Sequence, residues 1–81
     1  MEASSPYKDL VEYIVRSIVD NPDSVHITET VHESSVTLEV QVADGDMGRV
    51  IGRGGSVVNS IRSLVQVLAA KKGMRVSLEI V

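Results

Sequence analysis

Three glycines lie within four positions of this chain, at Gly52, Gly54 and Gly55, and Arg53 stands between the first two. Glycine lets backbone amides approach a ligand closely and adopts φ angles that other residues avoid. The segment that follows has helical spacing, so its first N–H groups and its dipole favour an anion. With an arginine inside the loop, a phosphodiester is the anion we expect to bind.

Two common phosphate-binding glycine motifs do not fit this loop. The P-loop pattern G-x-x-x-x-G-K-[ST] is absent, because no Lys followed by Ser or Thr comes after the glycines. The dinucleotide fingerprint lies between a strand and a helix, whereas this loop lies between two segments of helical spacing. What remains is a G-x-x-G sequence at 52–55 that joins two short amphipathic helices.

The spacing of the apolar residues predicts the elements that position the loop. They are, in order, a helix at about 6–20, strands at 25–31 and 36–42, helices at 47–52 and 56–71, and a strand at 75–80. The first two strands are close enough to form an antiparallel hairpin. Ser5 is the predicted N-cap of the first helix and Gly73 the predicted stop of the last.

The helices on either side of the loop are predicted to bury their apolar side chains. Asp46 is expected to cap the short helix, with Met47, Val50 and Ile51 on its buried side. The last helix is expected to bury Val57, Val58, Ile61, Leu64, Val65 and Leu68.

Charge is distributed unevenly along the 81 residues. The net charge is −3, but residues 1–46 carry a net −8 and residues 47–81 a net +5. This asymmetry predicts one end that attracts anions and one that repels them. The chain contains two tyrosines and neither Phe nor Trp, which argues against recognition of bases by an aromatic stacking platform.

Other kinds of site are not expected. No cysteine is present, so thiolate metal sites are excluded and a reducing cytosol suits the chain. His26 and His32 share a strand face without a third ligand at credible spacing. The pairs Asp44/Asp46 and Asp20/Asp23 lie at turns or helix ends, where aspartate caps well. We therefore expect no metal, no cofactor, no catalytic residue and no membrane span.

The loop and its neighbours resemble the KH family, whose defining feature is a G-x-x-G loop between two helices, preceded by Val-Ile or Ile-Ile. The residues that carry the resemblance are Val50-Ile51-Gly52-Arg53-Gly54-Gly55. The order α-β-β-α-α-β is similar to the type II arrangement. The segments 10–15, 19–23 and 46–52 are similar to the small bacterial single-KH RNA-binding proteins of the KhpA family.

This resemblance implies a single α+β domain at residues 7–81, after a short tail at 1–6, with three helices packed on a three-stranded mixed sheet. It implies a cytoplasmic protein without enzymatic activity that binds single-stranded RNA. It also implies association with a second copy or with a larger KH-containing RNA-binding protein. A role as an RNA chaperone or post-transcriptional regulator rests on the resemblance alone.

The predicted RNA contacts follow from the loop and the helices beside it. KH loops clamp the backbone of about four nucleotides. We expect guanidinium contacts to phosphate from Arg49, Arg53 and Arg62, and base contacts from Ile51 and Val58 above a floor formed by the second strand and the short helix. The full predicted set is Arg49, Ile51, Gly52, Arg53, Gly54, Gly55, Ser56, Val58, Asn59 and Arg62.

Gly54 departs from the family pattern, which commonly has a polar or basic side chain there. The loop therefore carries one cation and loses more entropy when it is ordered. Weak RNA binding is expected, and a protein-interaction module with secondary RNA binding is the alternative. The apolar residues near the loop and the acidic first half leave that alternative open.

Overall fold

The computed structural model describes residues 5–81, so residues 1–4 of the predicted tail lie outside the described residues. The elements are α1 (Pro6–Ile18), β1 (His26–His32), β2 (Ser35–Gln41), α2 (Met47–Ile51), α3 (Ser56–Ala70) and β3 (Arg75–Ile80). Single turns of 3₁₀ helix lie at Pro22–Ser24, Asp44–Asp46 and Arg53–Gly55. The predicted order α-β-β-α-α-β is confirmed.

The three strands form one mixed sheet in the order β1-β2-β3. The antiparallel hairpin predicted for the first two strands is confirmed. Its turn has two residues, since His32 lies opposite Ser35, and Glu33 has a φ of 54°. β2 is parallel to β3, with Val36 opposite Val76. Parallel neighbours need a crossover connection, and this crossover contains α2, the glycine loop and α3.

The helices cover one face of the sheet, and the core lies between them and that face. The central strand β2 contributes Val36, Leu38 and Val40, each at most 2% exposed, while Ser35, Glu39 and Gln41 of the same strand are exposed on the other face. This alternation is the one predicted from the sequence. Among residues 5–81, no helix has the length and apolar character needed to cross a membrane.

α3 buries a narrower face than predicted. Its buried residues are Val58, Ile61, Val65 and Ala69, whereas Leu64 is 57% exposed and Leu68 is 44% exposed. The prediction that both leucines are buried was wrong. The sheet has three strands and α1 has 13 residues, so these elements cover only the row of α3 that faces them.

Both long helices end for local reasons. α1 stops at Ile18, two residues before the predicted end, because Val19 is extended with φ −96° and ψ 160°. α3 ends in a Schellman motif: the Met74 N–H donates to Ala69 O at 2.9 Å and the Gly73 N–H to Ala70 O at 3.1 Å. Gly73 has a φ of 70°, so it is the C′ glycine that the sequence predicted.

Candidate nucleic-acid interface

The loop between α2 and α3 requires its glycines for backbone geometry. Gly52, Gly54 and Gly55 have φ angles of 77°, 62° and 82°, in the region that side-chain-bearing residues seldom adopt. Gly52 ends α2, its N–H donating to Gly48 O at 2.8 Å. Gly55 is left-handed and directly precedes α3. Three positive φ angles within four residues turn the chain from one helix into the next.

The space around the glycines differs along the loop. A Cβ on Gly52 would lie 2.6 Å from Val57 Cγ2 and 2.8 Å from Val57 N, which no side chain can tolerate. A Cβ on Gly54 would have no heavy atom within 4 Å. Gly52 is therefore packed against the protein, while the backbone at Gly54 faces open space.

The first turn of α3 starts beside this open space. Its N-cap is Gly55, so no side chain caps the N–H groups that follow. Ser56, the first residue of the helix, is exposed. The Gly55 N–H donates to Gly52 O at 3.2 Å and the Ser56 N–H to Arg53 O. The N–H groups that follow in the first turn have no partner within this 15-residue helix, and such groups suit an anion.

Arg53 is exposed at the loop. Within residues 5–81, its guanidinium takes part in neither of the ion pairs and in none of the side-chain hydrogen bonds. Of the three arginines predicted to bind RNA, it is the one whose charge is not already engaged.

Arg62 is held at the edge of the sheet. Its Nε donates to the Leu78 carbonyl oxygen of β3 at 3.0 Å, and Nη1 donates to Asn59 Oδ1 at 2.9 Å. Asn59 in turn lies next to the loop, because a Cβ on Gly55 would sit 3.3 Å from Asn59 Nδ2. A polar path therefore runs from the loop along α3 to β3.

Gln66, one turn beyond Arg62, extends this path and was missed in the sequence prediction. Its Nε2 donates to the Val76 carbonyl oxygen. The spacing of Asn59, Arg62 and Gln66 places them along one side of α3. That spacing was visible in the sequence, but nothing there indicated that this side faces a strand edge.

The Val76 and Leu78 carbonyls belong to the free edge of β3. The N–H groups of Arg75 and Val81 donate to Ser34 and Val40 in the direction of β2, so the even-numbered residues between them point their backbone groups away from the sheet. Arg62 and Gln66 occupy two outward carbonyl oxygens. The outward N–H groups of residues 76, 78 and 80 have no acceptor in the part of the chain described.

The packing corrects one of the two predicted base contacts. Val58 is 6% exposed and belongs to the core, so it presents no face to a base, whereas Ile51 is half-buried at the end of α2. The part of the predicted floor assigned to β2 was also wrong, because the apolar side chains of this central strand, Val36, Leu38 and Val40, are at most 2% exposed. The strand whose edge runs beside α3 is β3.

Asp46 holds the start of α2 in place from the buried side. It is 1% exposed, and its carboxylate accepts from the Asp20 N–H and the Asn21 N–H, both at 3.0 Å, and from Asn21 Nδ2 at 3.2 Å. The predicted capping of α2 was wrong, since Asp46 makes no capping bond to that helix. It instead ties α2 to the connection between α1 and β1.

These hydrogen bonds lower the pKa of Asp46 below its ordinary value. The backbone N–H of Asp20 is the largest cause, and burial opposes it by disfavouring the charged form. Asn21 and the charge of Arg49 lower the pKa further. The carboxylate is therefore held in its ionised form.

Arg49 lies on α2 but its charge is engaged by the same connection. Its Nη2 is 3.2 Å from Asp20 Oδ2, and the two side chains are 56% and 71% exposed. His26 and His32 are exposed on β1. No group of three or more His, Asp or Glu side chains is placed to hold a metal in residues 5–81.

A model of the KhpA/KhpB KH-domain family matches residues 8–80. This chain belongs to that family. The similarity to individual members extends over nearly the whole KH domain. The RNA-binding protein KhpA of Clostridium perfringens is 43% identical over 74 residues, which cover 91% of this chain and 99% of the relative.

Two further similarities are lower in sequence identity. The RNA-binding protein KhpA of Chlamydia trachomatis is 38% identical over 73 residues, covering 90% of this chain and 94% of its own. A crystal structure of an Era variant from Aquifex aeolicus bound to GDP and AlF4⁻ has a TM-score of 0.59 at 20% identity. The match covers 99% of this chain and 32% of the Era chain, and it supports the α+β KH fold alone.

Proposed function

We propose that this KH domain binds short single-stranded RNA at the 52–55 loop and turns nothing over. The observation that carries the proposal is the backbone at Gly54, which has a φ of 62° and open space around it directly before the uncapped start of α3. A sugar-phosphate backbone can approach peptide N–H groups there without meeting a side chain. The relatives named RNA-binding protein KhpA support RNA as the ligand.

The contacts divide into phosphate and base contacts. Arg53 and the Gly54 N–H bind phosphate, with the planar guanidinium contacting its oxygens. Gly55 and Ser56, whose N–H groups donate to the Gly52 and Arg53 carbonyls, lie along the sugar-phosphate backbone. Ile51 packs against a base. Gly52 shapes the loop without touching the ligand, because it is packed against Val57.

Asn59 and Arg62 take a different part from the one predicted. The Arg62 guanidinium lies at the β3 edge, bonded to Leu78 O and Asn59, on the path that leads from the loop. A base stacked beside Ile51 would present its hydrogen-bonding edge to this path. Arg62 and Asn59 therefore contact base edges, together with Gln66, while Arg53 contacts phosphate.

Binding is weak and depends modestly on salt. Three neutralised phosphates would give a slope of log K against log salt of roughly −2 for a single strand. With Arg49 paired to Asp20 and Arg62 at the strand edge, Arg53 is the arginine left for phosphate, and the slope becomes roughly −0.7. A titration of short single-stranded RNA between low and moderate salt distinguishes the two values, and a slope of zero contradicts both.

The decisive variant places charge repulsion in the loop. Arg53→Asp with Gly54→Asp changes the charge by −3, and Lys72→Asp with Ser63→Asp makes the same change away from the loop. Circular dichroism checks that both fold. We expect the loop variant to lose RNA binding and the control to retain most of it, and equal binding by parent and loop variant would refute the clamp.

The biological role proposed for this binding is that of a cytoplasmic RNA chaperone or post-transcriptional regulator. A loop that contacts few nucleotides and lacks aromatic stacking suits short unpaired stretches in many transcripts. Crosslinking followed by sequencing of bound transcripts tests this. Recovery of many RNAs by the parent and none by the loop variant is the expected result.

A second candidate function is protein association through α3. Leu64, Val67 and Leu68 are exposed by 57%, 63% and 44% and form an apolar surface at helical spacing, as interaction sites often do. A second copy or a larger KH-containing protein is the proposed occupant. Sedimentation of the parent and of Leu64→Ser with Leu68→Ser tests it. RNA binding that is lost in the loop variant while association persists would mean that the two activities use different surfaces.

A further inference from the structure

Arg49 belongs to the helix before the RNA-binding loop, but its guanidinium is paired with an acidic residue outside that helix. Arg49 stands in the middle of α2, one turn before the glycine loop. Its guanidinium lies 3.2 Å from the Asp20 carboxylate, which belongs to the connection between α1 and β1. Side chains on a helix lean toward its N-terminus, so this pairing directs Arg49 away from the loop at the other end of α2.

The backbone of Asp20 is anchored, and this anchor holds its side chain near Arg49. The Asp20 N–H donates to Asp46 Oδ1, and the following residue, Asn21, donates twice to Oδ2. Asp46 is buried directly before α2. One carboxylate therefore fixes the distance between the Asp20 residue and the helix that carries Arg49.

The ion pair between Arg49 and Asp20 is weak enough for a competing anion to break it. Both side chains are more than half exposed, and exposed ion pairs are weak and screened by salt. A phosphate arriving at the loop offers Arg49 a competing anion with better geometry for a guanidinium. The N–H donors lie in the plane of the guanidinium, and a side chain whose Nη2 is turned to Asp20 cannot direct the same donors to a phosphate at the loop.

We propose that Asp20 sets the RNA affinity of this domain by competing with phosphate for Arg49. Asp46 is the positioning residue that holds the competitor beside α2. This inference rests on the proposed function, since it concerns the same RNA site. It predicts that the loop uses one arginine for phosphate while Asp20 is present and two when its charge is removed.

The test is Asp20→Asn in the full chain, with a short single-stranded RNA as the probe. The variant keeps the backbone N–H that donates to Asp46, so the fold should be unchanged by circular dichroism. Asp23→Asn is the matched control, because Asp23 is an exposed aspartate in the same connection and makes no ion pair within the described residues. It removes the same charge without freeing Arg49.

We expect Asp20→Asn to bind RNA about two- to fivefold more tightly than Asp23→Asn, as the release of an exposed pair allows. The slope of log K against log salt should become steeper by about 0.7, the value for one further phosphate. In an Arg49→Gln background, the two aspartate variants should bind equally. A purely structural role for Asp20 would not change the salt slope.

Three results overturn the inference. They are equal affinities of the two aspartate variants, an unchanged salt slope, and a gain that persists when Arg49 is replaced. The loop proposal is tested separately by the parent and by Arg53→Asp with Gly54→Asp. If the parent binds RNA and this loop variant does not, any of the three results refutes the role of Asp20 alone, and the proposed binding at the loop stands. A parent that binds no RNA overturns both proposals.

Discussion

Arg62 Nε lies 3.0 Å from the carbonyl oxygen of Leu78 and joins the middle of α3 to the free edge of β3. An edge strand exposes backbone groups that invite pairing with another chain. Arg62 and Gln66 occupy two of the outward carbonyls, which blunts this edge while leaving the N–H groups beside them accessible. The same arginine thus links the stability of the sheet to the surface next to the glycine loop.

Removal of the Arg62 side chain should loosen this edge. Arg62→Ala loses the bonds to Leu78 and to Asn59, and each is worth about 0.5–1.5 kcal/mol net. We expect the free energy of unfolding to fall by about 1 kcal/mol and the β3 amides to exchange hydrogen faster. Arg16→Ala is the control, because its exposed pair with Glu12 at 3.1 Å is worth about 0.3–0.5 kcal/mol. Unchanged exchange in β3 would argue against the edge contact.

The glycines should differ in their tolerance of alanine. Gly52→Ala places a Cβ 2.6 Å from Val57 at a positive φ, so we expect a loss well above 1 kcal/mol. Gly54→Ala meets open space and suffers only the conformational penalty of about 1–2 kcal/mol. Gly48→Ala in α2 has no neighbour within 4 Å and should be stabilised by about 0.5–1 kcal/mol.

Urea denaturation of the three glycine variants measures this order. Gly52→Ala should have the lowest midpoint and Gly48→Ala the highest. A Gly52→Ala protein as stable as Gly54→Ala would show that the packing of Val57 against the loop is wrong.

Acid should remove the contribution of Asp46 to stability. The pKa of Asp46 is lower in the folded protein than its ordinary value of 3.8, so the ionised carboxylate stabilises the fold above that value. This stabilisation is lost as the pH falls through the lower, folded-state pKa. We expect Asp46→Asn to be less stable than the parent at pH 7, with the difference shrinking below about pH 4.

Chemical denaturation of parent and variant from pH 7 to pH 2 tests this linkage. Asp44→Asn, which removes an exposed carboxylate from the same turn, is the control and should stay within about 0.5 kcal/mol of the parent at pH 7. A difference between parent and Asp46→Asn that does not change with pH would contradict the role given to the carboxylate.

Truncation should lower stability strongly at one leucine and very little at another. Leu38 is fully buried in the central strand, so Leu38→Ala is expected to cost about 2–5 kcal/mol. Leu64 is exposed on α3, so Leu64→Ala should change the free energy of unfolding by less than about 0.5 kcal/mol. Urea denaturation at low protein concentration measures both in the absence of association. A large cost at Leu64 would place it in the core, as the sequence pattern suggested.

The element order and the loop followed from local features of the sequence. Three features depend only on residues that are close in the chain: the alternation in β2, the helical spacing in α1 and α3, and the helix stop at Gly73. They can therefore be recognised in the sequence without knowledge of the fold. The requirement for glycine at Gly52, Gly54 and Gly55 is also local, because it resides in backbone φ angles. The KH resemblance rested on this loop with the preceding Val50-Ile51, on the element order, and on the segments 10–15, 19–23 and 46–52.

Tertiary structure decided which surfaces those elements present. Helical spacing identifies the apolar face of α3, but the packed elements decide how much of that face is buried. Leu64 and Leu68 lie beyond the part that they cover and remain exposed. The partners of Asp46 lie 25 or 26 residues away along the chain, and the strand partner of Arg62, Leu78, lies 16 residues away. A hydrogen bond between such distant positions leaves no periodic trace, so only the packing of α2 on the α1–β1 connection, and of α3 along β3, assigns these side chains their roles.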